Sequence, residues 1–453
     1  MREHRLKGLR RSSFIAGVAS VAAIPRLGAA AGKPSAAALQ KYLRIFSSRA
    51  DFYGVVWLRN QSREIAQSVG YADKAQKTVN QPGTTFLIGS ISKHFTAVAI
   101  MLLQRSGKLR VEDPITEYLP ELTYAKGATI AQMLSHRGGF TRDFIGTSKM
   151  LDTGAILSAS TRLQLISAPG SAYSYSNVAY ALLAVVIERL SGRSFDNFMR
   201  DNIFMPAGMT NSGALTNIRP AGLAIGYVPG LGTSLEALPE SWRDNVTGAG
   251  SLYSTSLDML RWDNALWNGT ILTKNEISEL TKDRGDGYGF GLIVGTRDNH
   301  RVVGHDGQTT GFVARYDHFP DENAALLVLG NVDTGAPAYL RRGLTKILFA
   351  ETPDAVVLPA LVARDLDAVA GAHYAGTYAV SPQFDFQVVY QRSALFIPGN
   401  GGYLAALSPA VDGSFFYREL YATLRFAENV GPASELVWTD PSGTYHCPRK
   451  TAP

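Results

Sequence analysis

Phe86-Leu87-Ile88-Gly89-Ser90-Ile91-Ser92-Lys93 runs, after His94, into Phe95-Thr96-Ala97-Val98-Ala99-Ile100-Met101-Leu102-Leu103. The residues up to Ile88 are apolar and β-prone, and Gly89 breaks the run. The stretch after Lys93 is apolar on every side, which predicts a buried helix. Ser90 and Lys93, three apart, then share one helix face within reach of each other. Ser90 stands at the helix N-terminus, where free N–H groups and the dipole favour negative charge. Lys93 lies one turn deeper, where desolvation lowers an ammonium toward the range of a usable base. That is the layout of an activated serine nucleophile. A chain of 453 residues can carry one Ser-x-x-Lys by chance, so the reading depends on its company.

Tyr175-Ser176-Asn177 precedes a strong helical pattern from Val178 to Leu190. A tyrosine serves as a general base if a neighbouring cation such as Lys93 stabilises its phenolate, and an asparagine can hydrogen-bond both Lys93 and a substrate amide. A loop tyrosine followed by a helix cap is the plainer account, and Tyr173 is a rival two residues earlier. Further on stands Gly304-His305-Asp306-Gly307-Gln308, with Thr309-Thr310-Gly311-Phe312 after it. Small residues on a strand edge let a substrate backbone approach closely. His305 could donate a hydrogen bond there or share a proton network with Tyr175.

In this order the three segments resemble the serine β-lactamase and penicillin-binding-protein superfamily. The likeness is to its class C β-lactamase, D-alanyl-D-alanine carboxypeptidase and D-aminopeptidase branch. Gly107-Lys108-Leu109 with Glu112-Asp113-Pro114, Met133-Leu134-Ser135-His136-Arg137-Gly138-Gly139, Gly248-Ala249-Gly250-Ser251-Leu252 and Tyr288-Gly289-Phe290-Gly291 strengthen it. The resemblance spans roughly 40 to 350. It implies that Ser90 is acylated, Lys93 is its proton partner, and Tyr175 is the base that later protonates the leaving group. Asn177 would position the substrate amide. The backbone N–H groups of Ser90 and Gln308, the latter on the strand expected to start after Gly307, would form the oxyanion hole. His136 belongs to a packing motif.

His305 stands where β-lactamases usually carry a lysine. An imidazole is only partly charged near neutrality, and Asp306 adds a negative charge unless it points away. No Glu-x-x-Leu-Asn occurs, so a class A deacylation glutamate has no candidate. The expected activity is therefore hydrolysis of peptides or amides containing D-residues, such as cell-wall fragments. An esterase on small acyl esters is the alternative, and a true β-lactamase or a non-catalytic penicillin or muropeptide sensor ranks below it. The absence of Gly-x-Ser-x-Gly excludes an α/β-hydrolase elbow.

Residues 1–31 read as an export signal, so the chain is expected to be periplasmic or secreted. Arg10-Arg11 suggests the twin-arginine route, a short apolar stretch follows, and Ala29-Ala30-Ala31 offers a cleavage site. This segment carries +5 of the chain's net +6, so the remainder is nearly neutral and gives no reason to invoke nucleic acid. No later run is apolar and long enough to span a bilayer. Cys447 is the single cysteine, which excludes an intrachain disulfide, and Cys447 with His446 falls short of a metal site. No cofactor is implied, and the oligomeric state stays open.

The fold class expected is α+β: an antiparallel sheet built from strands at both ends of residues 32–355, with helices between and a helical region beside it. Phe52–Leu58, Ile65–Tyr71, Tyr288–Val294, Phe312–His318 and Ala324–Leu329 are the expected strands. Stretches 141–174 and 207–248 read as long loops. After a connector near 351–366, short strands over 365–453 predict a small all-β unit, similar to the lipocalin-like domain of some exported relatives.

Overall fold

The computed structural model describes residues 35–61, 63–144, 152–240, 245–381, 384–398, 404–428, 430–440 and 443–450. The expected export signal lies outside them.

Six strands form the main sheet: β1 (Gly54–Asn60), β2 (Arg63–Val69), β3 (Ile293–Arg297), β4 (His300–Thr309), β5 (Phe312–Phe319) and β6 (Ala324–Gly330). Their spatial order is β3-β4-β5-β6-β1-β2, with every neighbouring pair antiparallel. The two ends of this region therefore meet at the β1–β6 pair, as the sequence pattern predicts. Alternation along those strands feeds two cores. Val55, Trp57, Leu327 and Leu329 enter one cluster, and Val56, Leu58, Leu326 and Val328 enter the other. A sheet buried on both faces needs apolar residues at successive positions, which explains why neither run alternates with polar residues.

Helices α1 (Ala36–Ser47) and α5 (Ala336–Leu348) cover the second face. The first face carries α2 (Ser92–Arg105), α3 (Asn177–Ser191) and α4 (Ser256–Trp267). Their starts are legible as caps: Ser176 Oγ accepts from Ala179 N and Thr255 Oγ1 from Asp258 N. Helix α3 stops at Gly192, whose φ is +69°.

Several expectations need correction. Tyr288–Leu292 is not strand: Gly291 takes a φ of +69°, Tyr288 makes only an isolated bridge to Ile293, and the ladder to β4 is confined to Ile293–Arg297. Gln308 does not start a strand after Gly307 but lies near the end of β4. The two long loops contain a helix at Thr153–Ser160 and a hairpin of Gly226–Pro229 with Leu235–Leu238.

Beyond the connector, helix Ala368–Tyr374 precedes eight strands, Gly376–Ser381 through Gly443–Pro448, each paired with the next. An isolated bridge between Tyr378 and Arg449 joins the last strand back to the first, making a barrel-like sheet. Its interior is filled by Tyr378, Phe386, Leu395, Leu407, Tyr417, Trp438 and their neighbours, with Cys447 buried among them. The hairpin turn after Phe415–Tyr417 sends Arg418 out of this sheet to the loop before β1 and to the turn at Gly232–Ser234. Its Nε donates to Asp51 at 2.6 Å, and its remaining N–H groups meet the carbonyls of Arg49, Ala50, Gly232 and Ser234. Both members of the pair are fully buried. Tyr421 Oη and Arg49 Nε each lie 3.0 Å from the other oxygen of Asp51.

Candidate active site

Three short pairings assemble the site around Ser90. Phe86–Leu87 pairs with Leu252–Ser254, which places Gly248–Ser251 beside the start of α2. Leu252 N donates to Ser92 Oγ at 3.0 Å, fixing that segment to the helix. The end of β4 crosses the same turn. A side chain at Gly307 would place its Cβ 2.0 Å from the Ile88 carbonyl oxygen, and one at Gly89 would lie 2.7 Å from Gln308 N. Gly89 also has a φ of +51°, so both positions demand glycine. This close approach brings the Gln308 N–H alongside the residue preceding Ser90.

Ser90 lies in a 3₁₀ turn, Gly89–Ile91, that leads into α2. Lys93 is completely buried, with Nζ 3.0 Å from Ser90 Oγ and donating to the Ala249 carbonyl at 2.7 Å. Burial, reinforced by the charge of Arg142, drives its pKa well below the ordinary lysine value, against a smaller pull from Asp143. A neutral amine here keeps its donor bond to Ala249 and turns its lone pair to the Ser90 hydroxyl. The lysine is thus poised to take that proton.

Tyr175, and not Tyr173, is the tyrosine whose hydroxyl feels Ser90. Its phenol is pushed up by burial, only partly countered by Ser90 and Arg142. The expectation that Lys93 stabilises a phenolate is therefore corrected. Lys93 Nζ sits 4.9 Å from the Tyr175 ring centroid, over the ring and not on the oxygen, so the hydroxyl keeps its proton.

Asn177 is also placed differently from expectation. Ser176 takes the cap position of α3, and Asn177 Nδ2 donates to Asp143 Oδ1 at 2.5 Å. It makes no hydrogen bond to Lys93, whose polar contacts are Ser90 and Ala249.

His305 comes to the site but as a neutral ring. Burial, followed by the charge of Lys93, lowers its pKa to about 4, correcting the expectation of partial charge. Nδ1 lies 2.6 Å from the Asp306 carbonyl, which can only accept, so Nδ1 carries the hydrogen. Nε2 then accepts from Tyr288 Oη at 2.8 Å. No hydrogen bond joins His305 to Tyr175; their ring centroids stand 6.3 Å apart. The Asp306 carboxylate points away and pairs with Arg341 at 2.6 Å. Burial raises its pKa, but Arg341 and Arg315 outweigh that and keep it charged.

His136 packs its ring 4.2 Å from that of Tyr175 and accepts from Ser176 N at 3.1 Å. It fixes the tyrosine loop, as a packing motif would. Arg142 and Asp143 carried no signal in the sequence pattern. The Arg142 guanidinium lies 5.1 Å from the Tyr175 ring centroid, in a segment that composition marks only as loop.

The Beta-lactamase family pattern matches residues 25–349. Penicillin-binding protein 4* of Bacillus subtilis (strain 168) is 28% identical over 432 residues, covering 88% of this chain and 95% of that protein. The octameric penicillin-binding protein homologue of Pyrococcus abyssi has a similar structure, with a TM-score of 0.63 at 20% identity over 90% of this chain and 99% of that one. D-amino acid amidase of Ochrobactrum anthropi SV3, complexed with D-phenylalanine, aligns at a TM-score of 0.58 and 26% identity, covering 65% of this chain and 91% of its own. With this match across most of its length, and with the fold and the Ser90 constellation it predicts, the chain belongs to the β-lactamase family of serine hydrolases.

Proposed function

We propose that the protein hydrolyses amide bonds next to D-residues through an acyl-enzyme on Ser90. The observation that carries this reading is the 3.0 Å contact between Ser90 Oγ and a buried Lys93. Ser90 Oγ attacks the carbonyl carbon while its proton passes to Lys93 Nζ. The N–H groups of Ser90 and Gln308 stabilise the oxyanion. The C–N bond breaks as the leaving nitrogen takes a proton relayed from Lys93 through the Tyr175 hydroxyl. Water then attacks the Ser90 ester while its proton passes to Lys93 by the same path; the acyl C–Oγ bond breaks, Lys93 returns that proton to Ser90 Oγ, and the acid departs.

D-amino acid amidase among the similar structures supports the substrate class. The neutral His305 supports placing β-lactams last, since it offers no fixed charge for their carboxylate. The arginine pair and apolar run before residue 25 support export.

The test compares wild type with Ser90→Ala on a D-alanyl anilide, its L-isomer, nitrophenyl butyrate and a fluorescent penicillin, following turnover and added mass. Turnover of the D-anilide, lost in the variant, is expected. Ester turnover alone would replace the amidase reading with an esterase one, and label without product release would make the protein a sensor.

A further inference from the structure

The β4 strand lacks a cation facing the nucleophile, yet the opposite wall has one. Arg142 is 29% exposed, and its Nε lies 3.4 Å from Asp143 Oδ2. Asp143 is the sole acceptor it meets among the described residues. A guanidinium has five N–H donors in a planar fork, so among the described residues the NH1 and NH2 ends have no hydrogen-bond acceptor. One tyrosine ring spans the gap to the reaction centre: the Tyr175 centroid lies 4.9 Å from Lys93 Nζ, the partner of Ser90, and 5.1 Å from the Arg142 guanidinium.

This arginine is held in place. Asp143 engages Arg142 through one carboxylate oxygen and Asn177 Nδ2 through the other, at 2.5 Å. The backbone is tied as well, since Asn177 N donates to the Arg142 carbonyl at 2.7 Å. A fixed guanidinium with an open edge suits a planar carboxylate, which it binds in a two-pronged fashion. Asp143 occupies the Nε side, and its pairing with Arg142 balances the charge when no ligand is present.

We propose that Arg142, oriented by Asp143 and Asn177, is the subsite that binds a substrate carboxylate lying close to the scissile bond. It takes over the electrostatic task that His305, neutral and committed at both nitrogens, does not perform. The proposal rests on the reading of Ser90 as the reaction centre. It converts Asn177 from a substrate ligand into a positioning residue acting through Asp143.

The test measures binding directly, by calorimetry, with Ser90→Ala added to wild type and variants alike so that neither ligand is turned over. N-acetyl-D-alanine and N-acetyl-D-alaninamide differ only in the carboxylate. Wild type should bind the acid at least about tenfold more tightly than the amide, which is the size of one good charge-assisted pair. Arg142→Gln should bring that ratio to about one, and Arg142→Lys should restore part of it. Asp143→Asn should weaken acid binding if orientation matters more than the added charge. A wild type that does not prefer the acid, or a preference that survives in Arg142→Gln, overturns the subsite. The Ser90 reading is tested apart from this by mass labelling with fluorescent penicillin, which its own failure would abolish without touching the binding ratio.

Discussion

Tyr288 Oη lies 2.8 Å from His305 Nε2, and with Nδ1 committed to the Asp306 carbonyl this leaves the imidazole without a free nitrogen. The ring is a fixed, neutral strut between β4 and the tyrosine cluster. At about 4 its pKa lies too low to produce a step in activity near neutrality. We therefore expect a single rising limb in kcat/KM as pH increases through the pKa of Lys93, because the amine must be neutral to act. His305→Gln should lower the rate and leave the limb where it is. A limb that vanishes in His305→Gln would assign it to the histidine.

Arg142 also sets the position of that limb. Its charge helps hold Lys93 below the ordinary lysine range, so Arg142→Gln should move the limb to higher pH. The check is a pH series of kcat/KM on an uncharged ester, where substrate ionisation plays no part.

Lys93 illustrates a cost of function. The unfolded chain binds a proton to this lysine up to about pH 10.4, whereas the folded chain releases it earlier because of burial. Over the interval between the two pKa values stability rises with pH, and the penalty is full below the folded pKa. Lys93→Met should be inactive yet melt at the same temperature or higher. Its advantage over wild type should be greatest at low pH and shrink as pH rises, which thermal melts across a pH series will show.

Gly307→Ala should act on kcat with every substrate. The new Cβ falls 2.0 Å from the Ile88 carbonyl oxygen, so β4 must retreat from the Ser90 turn and take the Gln308 N–H with it. A loss of at least about tenfold in kcat is expected from a displaced oxyanion donor, measured beside an unfolding curve that separates this from loss of the fold.

The buried pair of Arg418 and Asp51 should behave as a unit. Removing one partner strands the other, at about 3–5 kcal/mol. Asp51→Ala and Arg418→Met should each be strongly destabilising in urea, and the double variant should lose much less than the two combined.

Much of the fold is legible in the chain. Ile130–Leu134 and Ser256–Trp267 carry helical apolar spacing and are helices capped by Thr129 and Thr255, and the continuous apolar run after Lys93 announces the helix bearing Ser90. What escaped was decided by contacts distant in sequence. Around Gly304–Gln308 the sequence shows only a strand edge, whereas the strand runs from His300 to Thr309, and Gly304 and Gly307 are required where the Tyr316 and Ile88 carbonyls press against it. The charge of His305 depends on burial that neighbouring residues do not reveal. Arg142 lies far along the chain from both Ser90 and Tyr175, and no motif marks it.

The Arg418 insertion also bears on how the chain can change over generations. Gly232 and Ser234, whose carbonyls Arg418 satisfies, lie in the turn of the hairpin Gly226–Leu238, and that hairpin presses on Gly311 at the end of the β4–β5 connection. A gene shortened before Arg418 would leave the buried Asp51 carboxylate with Arg49 as its one remaining cation among the described residues, and a turn near the substrate strand without the guanidinium that holds its carbonyls. The barrel and the hydrolase thus constrain each other's sequence. Loss of the one would cost least once position 51 had ceased to be acidic.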